Sequence, residues 1–244
     1  MRNLKRALSL ALAAIMLIGM MVVSASAASY NDLTDKDQIV NKDAVSMLVS
    51  LGIIEGKPDG SYAPTENVDR AQMAKMLSVI MNKGVDNSAL YQSVNSGLVD
   101  VNTNWAKGHI NYCYTTGIIA GRGTGTFDPS ATVTALEAAK MLLVAVGYDP
   151  AIEGFEGADW AINVSVRADE QGIFEGFTKD LSAPLNRDDA ALLIYNALDV
   201  EMIQSYTTNN YPIAYSDHRT ILADKYGVIK VQGVVVANEW ASLG

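Results

Sequence analysis

Apolar residues recur at helical spacing in three separate stretches of this chain, and each time the stripe breaks into a turn built from glycine, proline and short polar residues. From Gly52 the chain reads GIIEGKPDGSYAPTENVDRAQMAKML, from Gly117 GIIAGRGTGTFDPSATVTALEAAKML, and from Gly172 GIFEGFTKDLSAPLNRDDAALLI. A second glycine (Gly56, Gly121, Gly176) follows four residues after the first, and a proline (Pro64, Pro129, Pro184) eight residues after that. Twelve residues before the first glycine stand Val40, Trp105 and Trp160, each opening a predicted helix A. The first runs from about Val40 to Leu51 with Val40, Ala44, Val45, Leu48 and Leu51 as one stripe; in the second, Trp105, Ile110, Tyr114 and Ile118 share a face. A unit repeated 65 and then 55 residues on outranks any short motif as a guide to architecture.

After each hook a helix B is predicted, and its start carries the most information. Asp69, Thr134 and Asn186 each stand three residues before a Gln, Glu or Asp, the pattern of a capping box or a near relative, with an apolar residue just before the cap. Arg70 and Arg187 fit this badly. A cation at the first helical position opposes the positive end of the helix dipole by about 0.3–1 kcal/mol, so placing it there twice calls for a reason. Tyr62 and Phe127 follow the turns as aromatic plugs beneath the hooks.

Residues 1–27 carry Arg2, Lys5 and Arg6, an apolar run from Ala7 to Val23 and the ending Ala25-Ser26-Ala27, the layout of a secretory signal peptide. Its removal takes away three basic and no acidic residues, so the formal charge moves from -9 to -12. Such an acidic surface argues against nucleic acid, and no other stretch is apolar and long enough to span a bilayer. The organisation expected is a signal peptide at 1–27, copies at 28–87, 88–148 and 149–199, and a tail at 200–244. In the tail a helical piece around Thr220–Tyr226 precedes a strand-like run from Val228 to Val236, read as the opening of a further domain or a strand awaiting a partner.

Catalytic signatures are scarce. Cys113 is the single cysteine, with no cationic neighbour in sequence, and reads as a small buried apolar residue. His109 and His218 are not at metal-ligand spacing, so neither a metal nor a cofactor is expected. The run Gly121-Arg122-Gly123-Thr124-Gly125 lacks the Lys-Ser/Thr ending of a phosphate loop. Nothing places two of the many carboxylates across a cleft as a glycosidase pair. The chain is read as non-catalytic.

Laid out in this way, the unit resembles the S-layer homology (SLH) repeat, in which an F-x-D-V segment precedes W-A, a G-I-I-x-G turn, a G-T-F-x-P hook and a T-R-A-E helix start. The middle copy matches most fully, with Val99-Asp100-Val101, Trp105-Ala106, Gly117 to Gly121, Gly125-Thr126-Phe127-Asp128-Pro129 and Thr134-Ala135-Leu136-Glu137; Ala135 stands where the motif has arginine. The first copy keeps Arg70, has Val40 for tryptophan, and offers Asp32 or Asp35 as its aspartate. The third keeps Trp160 and Arg187, has Phe155 at the aspartate position, and has a hook three residues shorter before the arginine.

The resemblance implies a mainly α fold: a pseudo-threefold, three-prong spindle of three repeats around a central helical bundle, followed here by a short α/β tail. It implies an exported protein held at the cell wall or S-layer through secondary cell-wall polysaccharide, commonly bearing pyruvylated, anionic sugars, with other S-layer subunits as further partners. The residues carried over are Arg70, Arg187, Asp35, Asp100, Trp105, Trp160, Gly121 and Thr126. Elementary chemistry supports the arginines, since free N–H groups at a helix start joined by a guanidinium make a seat for a carboxylate. Structural roles compete: the arginines as partners of acidic residues on a neighbouring copy, the tryptophans as packing on apolar helix faces, and the aspartates as caps of helix A. Three function classes follow, namely a wall-binding module, the anchor of a surface enzyme, and a protein-assembly module.

Overall fold

The computed structural model describes residues 29–230, so the expected signal peptide and the run beyond Lys230 lie outside the described residues. The fold is mainly α. Its helices are α1 (Lys42–Ser50), α2 (Arg70–Met81), α3 (Lys107–Thr115), α4 (Ala135–Val146), α5 (Trp160–Glu170), α6 (Arg187–Ala197) and α7 (Ile221–Tyr226), with a hairpin of β1 (Ile203–Tyr206) and β2 (Pro212–Ala214) before the last. Helix A of the three copies is therefore α1, α3 and α5, and helix B is α2, α4 and α6.

Local chemistry sets the helix ends. The Asp69 carboxylate accepts from the Gln72 backbone N–H (2.7 Å) while the Gln72 side-chain Oε1 accepts from the Asp69 N–H (3.1 Å), and Thr134 and Glu137 close the same reciprocal box. Asn186 caps α6 from one side only, accepting from the Asp189 N–H at 2.8 Å. Each helix A stops at a glycine in the left-handed region, Gly52, Gly117 and Gly172, with φ between 69° and 78°.

The three copies close on one another where the helices B begin. Val68 N–H donates to Leu185 O, Leu185 N–H to Val133 O, and Val133 N–H to Val68 O, all at 2.8–2.9 Å. This is a ring of three backbone bonds, one per copy. Val68, Val133 and Leu185 are all buried, so the bonds lie in a dry environment where an unpaired N–H is costly. Outside the ring each helix B packs against helix A of the following copy: α2 on α3, α4 on α5, and α6 back on α1.

Three apolar positions differ from the sequence pattern. Val40, expected at the head of the α1 stripe, is 82% exposed because the helix starts two residues later, at Lys42. Trp105 and Tyr114, expected on the buried face with Ile110, are exposed, while Ile110 is fully buried. Trp105 precedes α3 and so escapes its periodicity.

The segment after Asp199 folds back on the repeats. Ile221 and Leu222 of α7 are buried, the Leu222 N–H donates to Leu198 O (2.9 Å), and the Tyr226 hydroxyl donates to Ile80 O of α2 (3.3 Å). The Tyr206 hydroxyl of β1 accepts from the Asp149 N–H (2.9 Å) and donates to Glu153 Oε1 (3.0 Å). Up to Lys230 this part packs as a cap on the three-copy body.

Candidate functional site

Two hooks are each held by a carboxylate from upstream. Asp100 accepts from the N–H groups of Phe127 (2.9 Å) and Asp128 (2.7 Å), and Asp35 from those of Tyr62 (2.7 Å) and Ala63 (2.8 Å). Ala63 and Asp128 have φ near +60°, a conformation that costs an L-residue about 1 kcal/mol and that persists because a carboxylate grips the N–H on either side of the bend. Burial pushes the Asp100 carboxyl up, yet these N–H bonds outweigh it and hold the group below the ordinary carboxylate value. Neither aspartate caps helix A. Phe127 and Tyr62 are buried beneath their hooks.

Gly121 is required by close approach. A Cβ there would lie 2.8 Å from Thr126 O, because Arg122 N–H donates to that carbonyl at 2.8 Å and draws the two limbs of the hook together. Thr126 contributes this carbonyl and shares a hydroxyl hydrogen bond with Thr124 (2.8 Å); its side chain does not line the adjacent groove.

The arginines reach across copies. Arg70, at the start of α2 in the first copy, donates from Nε to Phe127 O (2.8 Å) and from Nη2 to Ala120 O (3.0 Å) of the second hook, with its guanidinium 4.3 Å over the Phe127 ring. Arg187, from the third copy, does the same in the first hook: Nε to Tyr62 O (2.7 Å), Nη2 to Glu55 O (3.2 Å), and 4.8 Å over Tyr62. Backbone carbonyls, and not acidic residues of a neighbour, are thus their main partners. The cost of a cation at a helix start is offset, since the side chain leaves the helix end for two carbonyls and a π face. Burial lowers the Arg70 pKa to about 10, with the Arg122 charge adding to it and Glu137 opposing.

A groove opens beside each of these hooks, of about 260 Å³ at the first and about 520 Å³ at the second, spanning the lower part of the range in which small ligands bind. The two are built from matching positions. Arg187, Trp105 and Lys75 line the first; Arg70, Trp160 and Lys140 line the second. Trp105 is 58% exposed, and Trp160 is half-buried against the core with Lys140 Nζ 5.8 Å from its ring centre; each lines its groove. Each of these two grooves therefore draws on all three copies.

At the third hook all five matching positions differ. Ala135 stands for the arginine, Ser182 for the aromatic plug, Phe155 for the aspartate, Val40 for the tryptophan and Leu192 for the lysine. Ala183 keeps ordinary backbone, and the turn is held locally by Asp180, which accepts from the Ser182 N–H at 2.9 Å. The neighbouring contact between α6 and α1 is closed by Asp188, whose carboxylate accepts from the N–H groups of Val40 (3.3 Å) and Asn41 (3.2 Å) and from Asn41 Nδ2 (3.1 Å). Burial pushes the Asp188 carboxyl up against these bonds. Asp188, Lys75 and Lys140 do not stand out in the sequence; the signal that finds the lysines is their equal spacing, five residues after Arg70 and Ala135.

Comparison with known proteins bears on this architecture. The sequence profile of the S-layer homology domain matches residues 29–74 and 99–139. The chain carries S-layer homology domains. It is 29% identical over 206 residues to a cell surface protein of Thermoanaerobacter kivui, covering 84% of this chain and 26% of that one. It is 27% identical over 198 residues to a middle cell wall protein of Brevibacillus brevis, covering 81% and 18%. It is 30% identical over 186 residues to an amylopullulanase of Thermoanaerobacterium thermosulfurigenes, covering 70% and 10%. The SLH chain thus spans about a quarter or less of these relatives. Family and relatives place it at the cell surface, and no helix among the described residues is long and apolar enough to cross a membrane.

Proposed function

We propose that this SLH chain anchors an exported surface protein to the cell wall by binding an acidic secondary wall polysaccharide in two inter-repeat grooves. The three helix starts joined in a ring form the hub of a three-prong spindle, with hooks and helices A as the prongs. The observation that carries the reading is the recurrence, at two of three hooks, of a guanidinium locked to two carbonyls beside an indole and a lysine. Two carbonyls and a ring fix the plane of the arginine, so the edge left toward the groove is presented to the oxygens of a glycan without further ordering. The indole supplies an apolar face for a sugar ring, and the lysine a second cation. Two modest sites on one polymer act together, so retention on the wall exceeds what either groove gives.

Residues 28–244 mixed with protein-free cell-wall sacculi test this directly. They are expected to co-sediment with intact sacculi, and to stay in solution once the secondary polymer has been chemically stripped. Retention on stripped sacculi would overturn the glycan reading and favour peptidoglycan or protein as the partner. The amylopullulanase relative supports a second reading, in which the same anchor carries a surface enzyme; the sequence that follows Gly244 in the full reading frame separates the two.

A further inference from the structure

The two grooves share an arginine, an indole and a lysine but differ in charge elsewhere: Glu55 lines the first, and Glu137 and Glu156 line the second. Two residues after the arginine position of each helix B, Gln72 lines the first groove and Glu137 the second. Both are the reciprocal partners in capping boxes, so their side chains are pinned at the groove wall in the same way. Glu137 keeps its other oxygen for the groove: Oε1 accepts from Arg122 Nη1 at 2.6 Å and lies 3.9 Å from Arg70 Nη1. Its side chain is only 17% exposed. In the first groove the acidic partners of the lysines are different in kind. Glu66 pairs with Lys57 and Glu55 with Lys75 through carboxylates 52% and 68% exposed, free to swing into solvent when a ligand arrives.

On the reading that these grooves hold a wall glycan, we infer that they take different sugar units of one polymer: the Gln72 groove a carboxylate-bearing unit, the Glu137 groove a neutral, hydroxyl- and amide-bearing one. In the second groove the seat in front of the guanidinium already faces an internal carboxylate that its cap and Arg122 hold in place. An incoming anion meets like charge there, whereas sugar hydroxyls find an acceptor in Glu137 and donors in Lys140 and Arg122. In the first groove Gln72 is uncharged, so Arg187, Lys57 and Lys75 are left to the ligand carboxylate.

The indole N–H resonances of Trp105 and Trp160 report the two grooves separately in a nitrogen–proton correlation spectrum of residues 28–244. The probes are a methyl glycoside bearing a 4,6-linked pyruvyl ketal and the methyl ester of the same compound, which removes the charge. The acid is expected to shift Trp105 at about one tenth of the concentration needed for Trp160, and the ester to lose that preference. Glu137→Gln keeps the capping box, as Gln72 itself shows, and is expected to bring the Trp160 midpoint for the acid to within about threefold of Trp105. Gln72→Glu is expected to weaken acid binding at Trp105 by about tenfold. Equal midpoints for the acid in the unmutated chain, or midpoints that neither substitution moves, would overturn the division of labour while leaving glycan binding intact. If neither indole responds to either probe, both it and the glycan reading fall.

Discussion

The first two hooks and the third share their glycine and proline spacing, yet they are held by different means. The first two depend on distant groups: an aspartate 27 residues upstream, and an arginine 57 or 125 residues away from a neighbouring copy. The third depends on Asp180 within its own turn. Where the clamp is long-range the backbone bends through a left-handed residue and a groove lies beside it; where it is local the backbone is ordinary and the groove's arginine, indole and lysine are all absent. Five positions scattered over more than a hundred residues change together, which says they form one device that is kept or discarded whole.

The sharpest way to break the comparison is to remove the clamps. Asp100→Ala leaves two hook N–H groups without their carboxylate, so a loss of about 3 kcal/mol in denaturant unfolding is expected, with Asp35→Ala close behind. Asp180→Ala in the third hook, at an exposed turn, is expected to leave the unfolding midpoint nearly unchanged. Equal effects in all three hooks would show that the distinction has no energetic content.

Next comes an attempt to convert the third hook into the others. Ala135 is fully buried and its place offers no aromatic face, so Ala135→Arg is expected to destabilise by about 1–3 kcal/mol through overpacking and to add no retention on sacculi. A gain in retention would mean that the arginine alone makes a site. Arg70→Lys, which keeps the charge but cannot reach both carbonyls in one plane, is expected to cost about 1–2 kcal/mol and to weaken binding at the Trp160 groove.

The smallest effect concerns the contact between α2 and α3, beside the first groove. Ser78 Oγ lies 2.7 Å from Nδ1 of buried His109, whose Nε2 is 3.6 Å from Asp86 Oδ2. Burial lowers the His109 pKa below its ordinary 6.5, with Asp86 opposing and Lys75 adding to the fall. The unfolded chain then takes up a proton more readily than the folded one, so stability is full above about pH 6.5 and declines as the pH drops below it. Urea midpoints measured between pH 7.5 and 5.5 should fall in the native chain, and His109→Gln should flatten that slope.

Much of this was legible in the sequence because it is local. Capping boxes, glycine helix ends and the three hooks follow from residues within a few positions of one another. The mates of Arg70 and Arg187 were not, since spacing along a chain does not say which copy's arginine meets which copy's hook. Trp105 departs from the pattern for a related reason: it lies two residues before the helix whose periodicity its spacing suggests. Asp35 and Asp100 stood out as motif residues, but nothing near them in sequence reveals that they hold N–H groups 27 positions on. The cap formed by residues 201–226 was hidden by its change of composition.

That cap has a mechanical consequence. Its last helix lies on α2, tied by the Tyr226 hydroxyl to Ile80, while its first residues continue from α6. Tension applied beyond Lys230 therefore reaches the first copy directly as well as the last. Detaching the third copy alone would then also require breaking the contact between α7 and α2.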